Sequence, residues 1–277
     1  MKRLNKGHFF GTHLQKNTIE GLVITDTEYT HSKVDWHYHE NPYLTFLLQG
    51  KLYEANKKEE YYLEPGSLLF HNWQDAHYNI KPDEYTRGFH IEFNKAWFNK
   101  HDISIDCFEG SFKFLDPTAR ALINSIFLES KIQDDKSSIS IELLALSIFE
   151  QLPNWNKLNG KSYPTWFSRL REYITDSNEN LSLTSLSTIV DIHPVHLSRE
   201  FHKYFKITLG QYIRYLRVNK AVSLMINGNR IMTDICYDCG FYDQSHFIRD
   251  FKRIYTRTPK KYMQIITDSL NPIKRTK

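Results

Sequence analysis

Cysteine is scarce in this sequence: its 277 residues include only Cys107, Cys236 and Cys239. A low and odd number of cysteines argues against a disulfide framework and fits a reducing compartment. No apolar run approaches the roughly 18–20 residues that a membrane helix needs. No apolar segment follows the basic start either, so a secretory signal is not expected. We therefore expect a cytoplasmic protein with no membrane partner.

The common catalytic motifs are also missing. The sequence contains no phosphate-binding glycine loop, no His-Glu-x-x-His motif and no Ser/His/Asp order of a hydrolase. We therefore assign no catalytic residue and no cofactor, and we expect that the protein is not an enzyme.

Positive charge, by contrast, is concentrated in the C-terminal part of the chain. Residues 1–159 contain 17 Lys and Arg against 22 Asp and Glu, whereas residues 160–277 contain 19 against 10. A basic region joined to an acidic one is typical of proteins whose basic part binds nucleic acid. Charge can also differ between two halves without any functional reason, so this pattern needs support from motifs.

The spacing of apolar residues separates a β-rich region from a helical one. Short aromatic and β-branched runs between turn residues predict a sandwich or small barrel over about residues 8–110. Apolar residues three and four apart then predict two helices within residues 115–152.

A linker is expected after these two helices, because Pro153, Gly160 and Pro164 interrupt the helical pattern. From there to the C terminus the spacing is helical almost throughout. We place the boundary at residue 160, which gives an N-terminal domain of residues 1–160 and an all-α C-terminal domain of residues 161–277. The fold class is therefore α+β with two domains.

An internal repeat is the most specific pattern in the chain. Segments 196–205 and 246–255 align at an offset of 50, with identical His, Arg and Phe. Each copy predicts a short helix, a turn and a second helix, the order of a helix-turn-helix unit. Pro194 begins the second helix of the first copy, and Gly240 lies in the turn of the other. A connecting helix over 209–227 would hold the two units so that both reach successive major grooves, about 34 Å apart.

The second helix of each copy has an outward face that suits DNA. At 100° per residue, its aromatic and aliphatic residues cluster on one side and its small and cationic residues on the other. Arginine can donate two hydrogen bonds to guanine, serine can bond either type of base edge, and a valine methyl can contact thymine. Two ordinary amphipathic helices with solvated charges are the alternative. The outward residues are Val195, Arg199, Lys203, Ser245, Arg249 and Arg253.

Residues from about 165 to 263 resemble the DNA-binding domain of the AraC/XylS family of transcriptional regulators. The segment 234–262 is closely similar to the long motif of that family. The resemblance implies a double helix-turn-helix regulator, expected to be an activator and a homodimer, with double-stranded DNA and RNA polymerase as partners. It also implies base-reading positions at Val195, Ser198, Arg199, Gln244, Ser245, His246 and Arg249.

Three positions depart from the family pattern. Asp191, Lys206 and Thr256 stand where the family usually has glycine, and a left-handed turn at such residues would cost about 1 kcal/mol each. Cys236 and Cys239 have the spacing of a redox pair. Because Cys236 matches a packing position of the family, we expect buried cysteines that act as small apolar residues.

The N-terminal region resembles a cupin barrel over about residues 30–95, carried by the His37-Tyr-His39 sequence, a following Pro-Gly turn and His77. His37 and His39 point to the same face of a strand, and with His77 they could bind a metal ion. The glutamate that metal cupins place soon after the second histidine is missing, so we assign no metal. Hydrogen bonding within the barrel is the alternative.

A pocket for a small-molecule effector is expected in this barrel, because aromatic and polar residues of this kind line ligand cavities. Aromatic residues also simply favour strands. By resemblance, the effector could be a sugar or another small metabolite. The helices within 115–152 resemble a dimerisation segment, or they pack on their own barrel. The predicted ligand-binding residues are Trp36, His37, His39, Tyr43, Trp73 and His77.

The leading hypothesis is therefore a sequence-specific DNA-binding transcriptional regulator that a small molecule controls. One alternative is a metal-dependent cupin enzyme with an accessory DNA-binding domain. Another is a regulator whose N-terminal domain takes a protein partner instead of a ligand.

Overall fold

A computed structural model of the chain describes residues 1–270 except 74, 83–84, 105–109, 160–163, 177–180 and 229. At 151–159, 176, 269 and 270 it describes the backbone only, and Cys107 lies outside the described residues. The chain forms two compact units: Met1–Leu115 with Ile132–Leu143, and Asp116–Lys131 with Leu144–Lys277. Residues 116–131 therefore group with the C-terminal helices, whereas the division expected from the sequence falls at residue 160.

Two β-sheets make up most of the first unit. The five-stranded sheet contains, in order of pairing, β1 (Lys2–Leu4), β4 (Lys33–His39), β9 (His77–Ile80), β6 (Leu52–Asn56) and β7 (Glu60–Leu63). The six-stranded sheet contains β11 (Phe112–Lys113), β8 (Leu68–His71), β5 (Tyr43–Gln49), β10 (Arg87–Phe93), β3 (Leu22–Tyr29) and β2 (Gly11–Ile19). Within the described residues no strand belongs to both sheets, so strand pairing does not close the barrel that the sequence predicted.

Helices dominate the rest of the chain, as their apolar spacing predicts. α1 (Lys95–Lys100) belongs to the first unit, and α3 (Ser137–Asn159) begins there. The helix α3 continues past Pro153, so the linker predicted from that residue onward was placed too early. The remaining helices are α2 (Pro117–Ile132), α4 (Thr165–Asp176), α5 (Leu183–Val190), α6 (Pro194–Phe205), α7 (Leu209–Ile226), α8 (Met232–Asp238), α9 (Gln244–Tyr255) and α10 (Pro259–Leu270).

A buried polar network joins α2 to the C-terminal helices within the second unit. The Asn219 side chain of α7 donates to the Pro117 carbonyl at 2.8 Å and accepts from the Tyr255 hydroxyl at 2.8 Å. The side-chain amide of Asn124 in α2 donates to the Tyr255 hydroxyl at 3.1 Å. The backbone carbonyl of Asn124 accepts from the Tyr262 hydroxyl at 3.2 Å. Because buried polar groups need partners, these contacts fix α2 against α7, α9 and α10.

None of the described helices combines the length and the apolar composition that crossing a membrane requires.

Candidate nucleic-acid interface and N-terminal cavity

The helices α5 and α6 form the first predicted helix pair, and their sequences set both ends. The Ser182 hydroxyl caps α5 by accepting a hydrogen bond from the Ser185 N–H at 3.0 Å. The helix ends at Asp191, whose backbone is left-handed (φ 54°), and Pro194 lies in the first turn of α6. Lys206 ends α6, also in the left-handed region at φ 58°.

The helices α8 and α9 repeat this arrangement. Gly240, at φ 74°, lies in the turn between them. The Asp243 carboxylate caps α9 by accepting from the His246 N–H at 2.7 Å. Thr256 ends α9 at φ 55°, so all three residues at the positions where the family usually has glycine are left-handed.

Each second helix buries one side and exposes the other. The buried residues are Leu197, Phe201 and Phe205 in α6 and Phe247, Phe251 and Tyr255 in α9. Among the described residues, no ion pair engages the guanidinium groups of Arg199, Arg249 or Arg253. The exposed residues include Val195, Ser198, Arg199, Lys203, Gln244, Ser245, Arg249 and Arg253.

Two of the predicted base-reading side chains have partners within the protein. Gln244 donates from Nε2 to the Thr233 hydroxyl at 2.8 Å. The His246 ring is only partly exposed, with Nε2 3.0 Å from an oxygen of Asp250, whose other oxygen lies 3.0 Å from Nε of Arg214. His246 therefore lies at the edge of the exposed face, held by a buried carboxylate, and the base-reading role that the family resemblance implies for it stays a prediction.

A single long helix connects the two pairs. The 18 residues of α7 span about 27 Å at the α-helical rise. Thr208 and Gln211 form a capping box at its start, with reciprocal hydrogen bonds of 3.2 and 2.8 Å. This element agrees with the connecting helix predicted over 209–227.

A cavity that opens to solvent lies in the first unit. The pairing of β4 with β9 sets His37 opposite His77, as the predicted neighbouring strands require. Strand alternation brings His39 to the same face as His37. The lining consists of Phe9, Phe10, Tyr29, His37, His39, Tyr43, Thr45, Leu52, Glu54, His77, Asn79, Lys81 and His90.

The histidines of the lining are buried and uncharged at neutral pH. Burial lowers the pKa of His37 to about 3, that of His77 to about 4 and that of His90 to about 3. Burial also lowers the pKa of His39 well below its usual value. Neutral imidazoles can donate and accept hydrogen bonds or bind a metal ion.

Two of these rings have a defined orientation. Nδ1 of His37 lies 2.9 Å from the Asp35 carbonyl, and Nδ1 of His77 lies 2.9 Å from the Asp75 carbonyl. Because a carbonyl can only accept, Nδ1 of each ring carries the proton and Nε2 is an acceptor. The Tyr43 hydroxyl therefore donates to Nε2 of His77, at 3.1 Å.

A buried carboxyl group and a buried ammonium group complete the polar wall of the cavity. Burial raises the pKa of the Glu54 carboxyl to about 8 and lowers the pKa of the Lys81 ammonium to about 8. His37, His39 and His77 offer one nitrogen each within 4.8 Å of one another, the grouping that the sequence predicted without assigning a metal.

Two of the six predicted ligand residues lie away from this cavity. Trp36 alternates with His37 along β4, so its ring lies on the opposite face, 5.2 Å from that of Tyr78. Trp73 follows β8 and is 45% exposed. Strand alternation could have indicated those lining residues that lie on strands. Lining residues that were not predicted from the sequence include Phe9, Phe10, Tyr29, Glu54, Lys81 and His90.

Comparison with known proteins finds a matching domain family and several related chains. The helix-turn-helix domain family matches residues 186–265. The uncharacterised helix-turn-helix-type transcriptional regulator YbfI of Bacillus subtilis (strain 168) is 27% identical over 267 residues, 84% of this chain and 86% of that protein. The arabinose operon regulatory protein of Escherichia coli (strain K12) is 22% identical over 244 residues, 83% and 82% of the two chains. The structure of ToxT from Vibrio cholerae is 14% identical and covers 88% of this chain and 99% of its own, with a TM-score of 0.38.

The exposed helix faces and the domain match define a DNA-binding transcriptional regulator with a helix-turn-helix domain. The matched domain and the named relatives support a regulator similar to those of the AraC/XylS family.

Proposed function

We propose that α5–α6 and α8–α9 are two helix-turn-helix units, and that α6 and α9 enter successive major grooves of one operator. The left-handed ends of α6 and α9 and their matching buried faces support two copies of one unit. The connecting helix α7 is about 27 Å long, and the recognition residues of α6 and α9 lie beyond its ends. This arrangement suits two major grooves about 34 Å apart.

Within these helices, the guanidinium groups of Arg199 and Arg249 are the leading candidates for base contacts. Both are exposed and engage in no ion pair with a described residue, so DNA binding breaks no existing bridge. Ser198 and Ser245 stand beside them, and Val195 adds an exposed methyl surface. Lys203 and Arg253 lie one turn further along, where phosphate contacts give a salt-dependent affinity.

Replacement of Arg249 tests this assignment. An operator is first selected from random DNA with the full chain, and binding of that operator and of unrelated DNA is then measured at one salt concentration. Arg249→Ala should weaken operator binding by about 1–3 kcal/mol and unrelated DNA much less. Lys57→Ala removes one charge from a hairpin of the first unit and is the matched control. Equal losses on both DNAs would make Arg249 a phosphate contact, and no loss would exclude α9 from the interface.

The cavity of the first unit binds a small polar organic effector, of which a sugar is one example. The lining offers hydrogen-bond donors and acceptors to such a molecule, from neutral imidazoles, the Tyr29 and Tyr43 hydroxyls and the Asn79 amide. The Phe9 ring offers an apolar surface for the nonpolar part of the molecule. Effector binding changes the arrangement of two chains in a homodimer by differential affinity for two states. The regulator then acts in the cytoplasm, as an activator that contacts RNA polymerase. The regulator names of the relatives favour this role over catalysis.

Thermal unfolding of the full chain against a panel of sugars and small metabolites tests the effector. A compound at 100 times its dissociation constant should add about 2.7 kcal/mol. The variant Tyr43→Phe, which removes one hydroxyl of the lining, should reduce that gain, whereas Trp73→Ala, outside the cavity, should not. A gain that both variants retain would exclude this cavity as the binding site.

A further inference from the structure

A buried carboxylate and two imidazoles meet where three strands of the first unit approach each other. Glu54 lies on β6, His71 on β8 and His77 on β9, so the cluster draws on both sheets. Their side chains are buried, and one ligand atom from each lies within 4.8 Å of the other two. The sequence gives no hint of the group, because its members are separated along the chain and only His77 belongs to the cupin-like motif.

His71 is the least satisfied member of this cluster. Neither of its ring nitrogens has a hydrogen-bond partner among the described residues, and the side chain is fully buried. Nδ1 lies 3.3 Å from Oε1 of Glu54 but without the orientation of a hydrogen bond. A buried polar ring without partners is unfavourable, so such a ring needs either a functional or a structural explanation.

His77 already has the orientation of a metal ligand. Its Nδ1 donates to the Asp75 carbonyl at 2.9 Å, which leaves the Nε2 lone pair directed at the Tyr43 hydroxyl, 3.1 Å away. Metal-binding histidines commonly donate their second ring N–H to a backbone carbonyl in this way, because that bond fixes the tautomer and the ring.

We propose that Glu54, His71 and His77 bind one divalent transition-metal ion. Two imidazole nitrogens and one carboxylate oxygen suit Zn²⁺ and similar ions, and the carboxylate supplies the negative charge that the three-histidine group lacks. Bonds of about 2.1 Å to a tetrahedral ion place donor atoms about 3.4 Å apart. The 3.3 Å separation of Nδ1 of His71 and Oε1 of Glu54 is close to that value. Glu54 and His77 also line the cavity proposed for the effector, but metal binding does not require an effector to be bound.

Metal titration of the full chain tests the site. The protein is treated with a chelator and dialysed, Co²⁺ is added while visible absorption is recorded, and Zn²⁺ is used to compete. Metal retained after gel filtration is measured by mass spectrometry. One ion per chain is expected, with Co²⁺ bands typical of nitrogen and oxygen ligands. Glu54→Gln and His71→Gln should each weaken binding by at least about tenfold.

His37→Gln is the matched control, because it removes a cavity histidine outside the proposed group. It should change the affinity less than about threefold, well below the loss expected for a ligand. Glu54→Gln preserves the size of a buried polar side chain, so it decides the question if His71→Gln does not fold. Circular dichroism melts monitor folding of every variant.

Two results would overturn the proposal. The first is that no metal is retained, and the second is that binding is unaffected by Glu54→Gln. If binding were then also lost in His37→Gln, the ion would belong to the three histidines of the cupin-like motif. Operator binding, measured in parallel, reports separately on the proposed regulatory function.

Discussion

Replacing Thr256 by glycine should stabilise the end of α9. Thr256 has φ 55° and ψ 4°, and a β-branched residue in this left-handed region costs about 1–2 kcal/mol. Glycine removes that strain, but its greater conformational entropy in the unfolded chain lowers the free energy of unfolding by about 0.5–1 kcal/mol. The threonine side chain is exposed, so little packing is lost. The net expectation is a stabilisation of about 0.5–1 kcal/mol.

Hydrogen–deuterium exchange of the full chain is the direct measurement, because it reports the opening free energy of one helix. Amides of Gln244–Tyr255 should exchange about two- to fivefold more slowly in Thr256→Gly, since about 1.4 kcal/mol is a tenfold change. The control Lys252→Gly places glycine at an exposed right-handed position of the same helix, where it should cost about 1 kcal/mol. If both variants exchanged faster than wild type to the same extent, the strain attributed to Thr256 would be refuted.

The remaining predictions concern the buried polar groups. Asn219→Ala should destabilise the second unit by about 1–3 kcal/mol in urea unfolding, because the Tyr255 hydroxyl loses its acceptor and the Pro117 carbonyl loses its donor. The exposed Asn227→Ala is the control, and equal effects of the two variants would contradict the importance of the network. The pKa of His90 is lowered to about 3 in the folded chain, whereas it is near 6.5 in the unfolded chain. The contribution of neutral His90 to the free energy of unfolding is therefore full above pH 6.5 and is lost as pH falls toward 3. Between pH 7 and pH 5, wild type should therefore lose about 2 kcal/mol more than His90→Gln, and parallel losses would rule this out.

The sequence predicted local structure better than it predicted the grouping of distant residues. The repeat, Pro194 and the three left-handed positions are local features, and the structure agrees with them. Strand alternation placed His37 and His39 together, and the same rule, applied to Trp36, would have put its ring on the other face. The approach of Asn124 to Asn219 spans 95 residues, and nothing in either local sequence indicates it.

The position of Glu54 shows the same limit at the cavity. Its strand, β6, was predicted, but which face it presents to β9 depends on a register that the sequence does not specify. The prediction of a closed barrel was wrong for a related reason. The strands were identified from the sequence, but their division between two separate sheets was not.

The grouping of Asp116–Lys131 with the C-terminal helices bears on how this protein can be dissected. The chain passes between the two units three times, after Leu115, after Lys131 and after Leu143. No single cleavage, whether by a protease or at a gene truncation, can release either unit whole. A fragment that starts at Thr165 discards α2 and leaves the side chains of Asn219 and Tyr255 facing the gap. An expression clone cut between an N-terminal and a C-terminal domain would thus lack a helix that packs in the core of its own unit. Insolubility of such a clone would say nothing about the affinity of the intact protein for DNA.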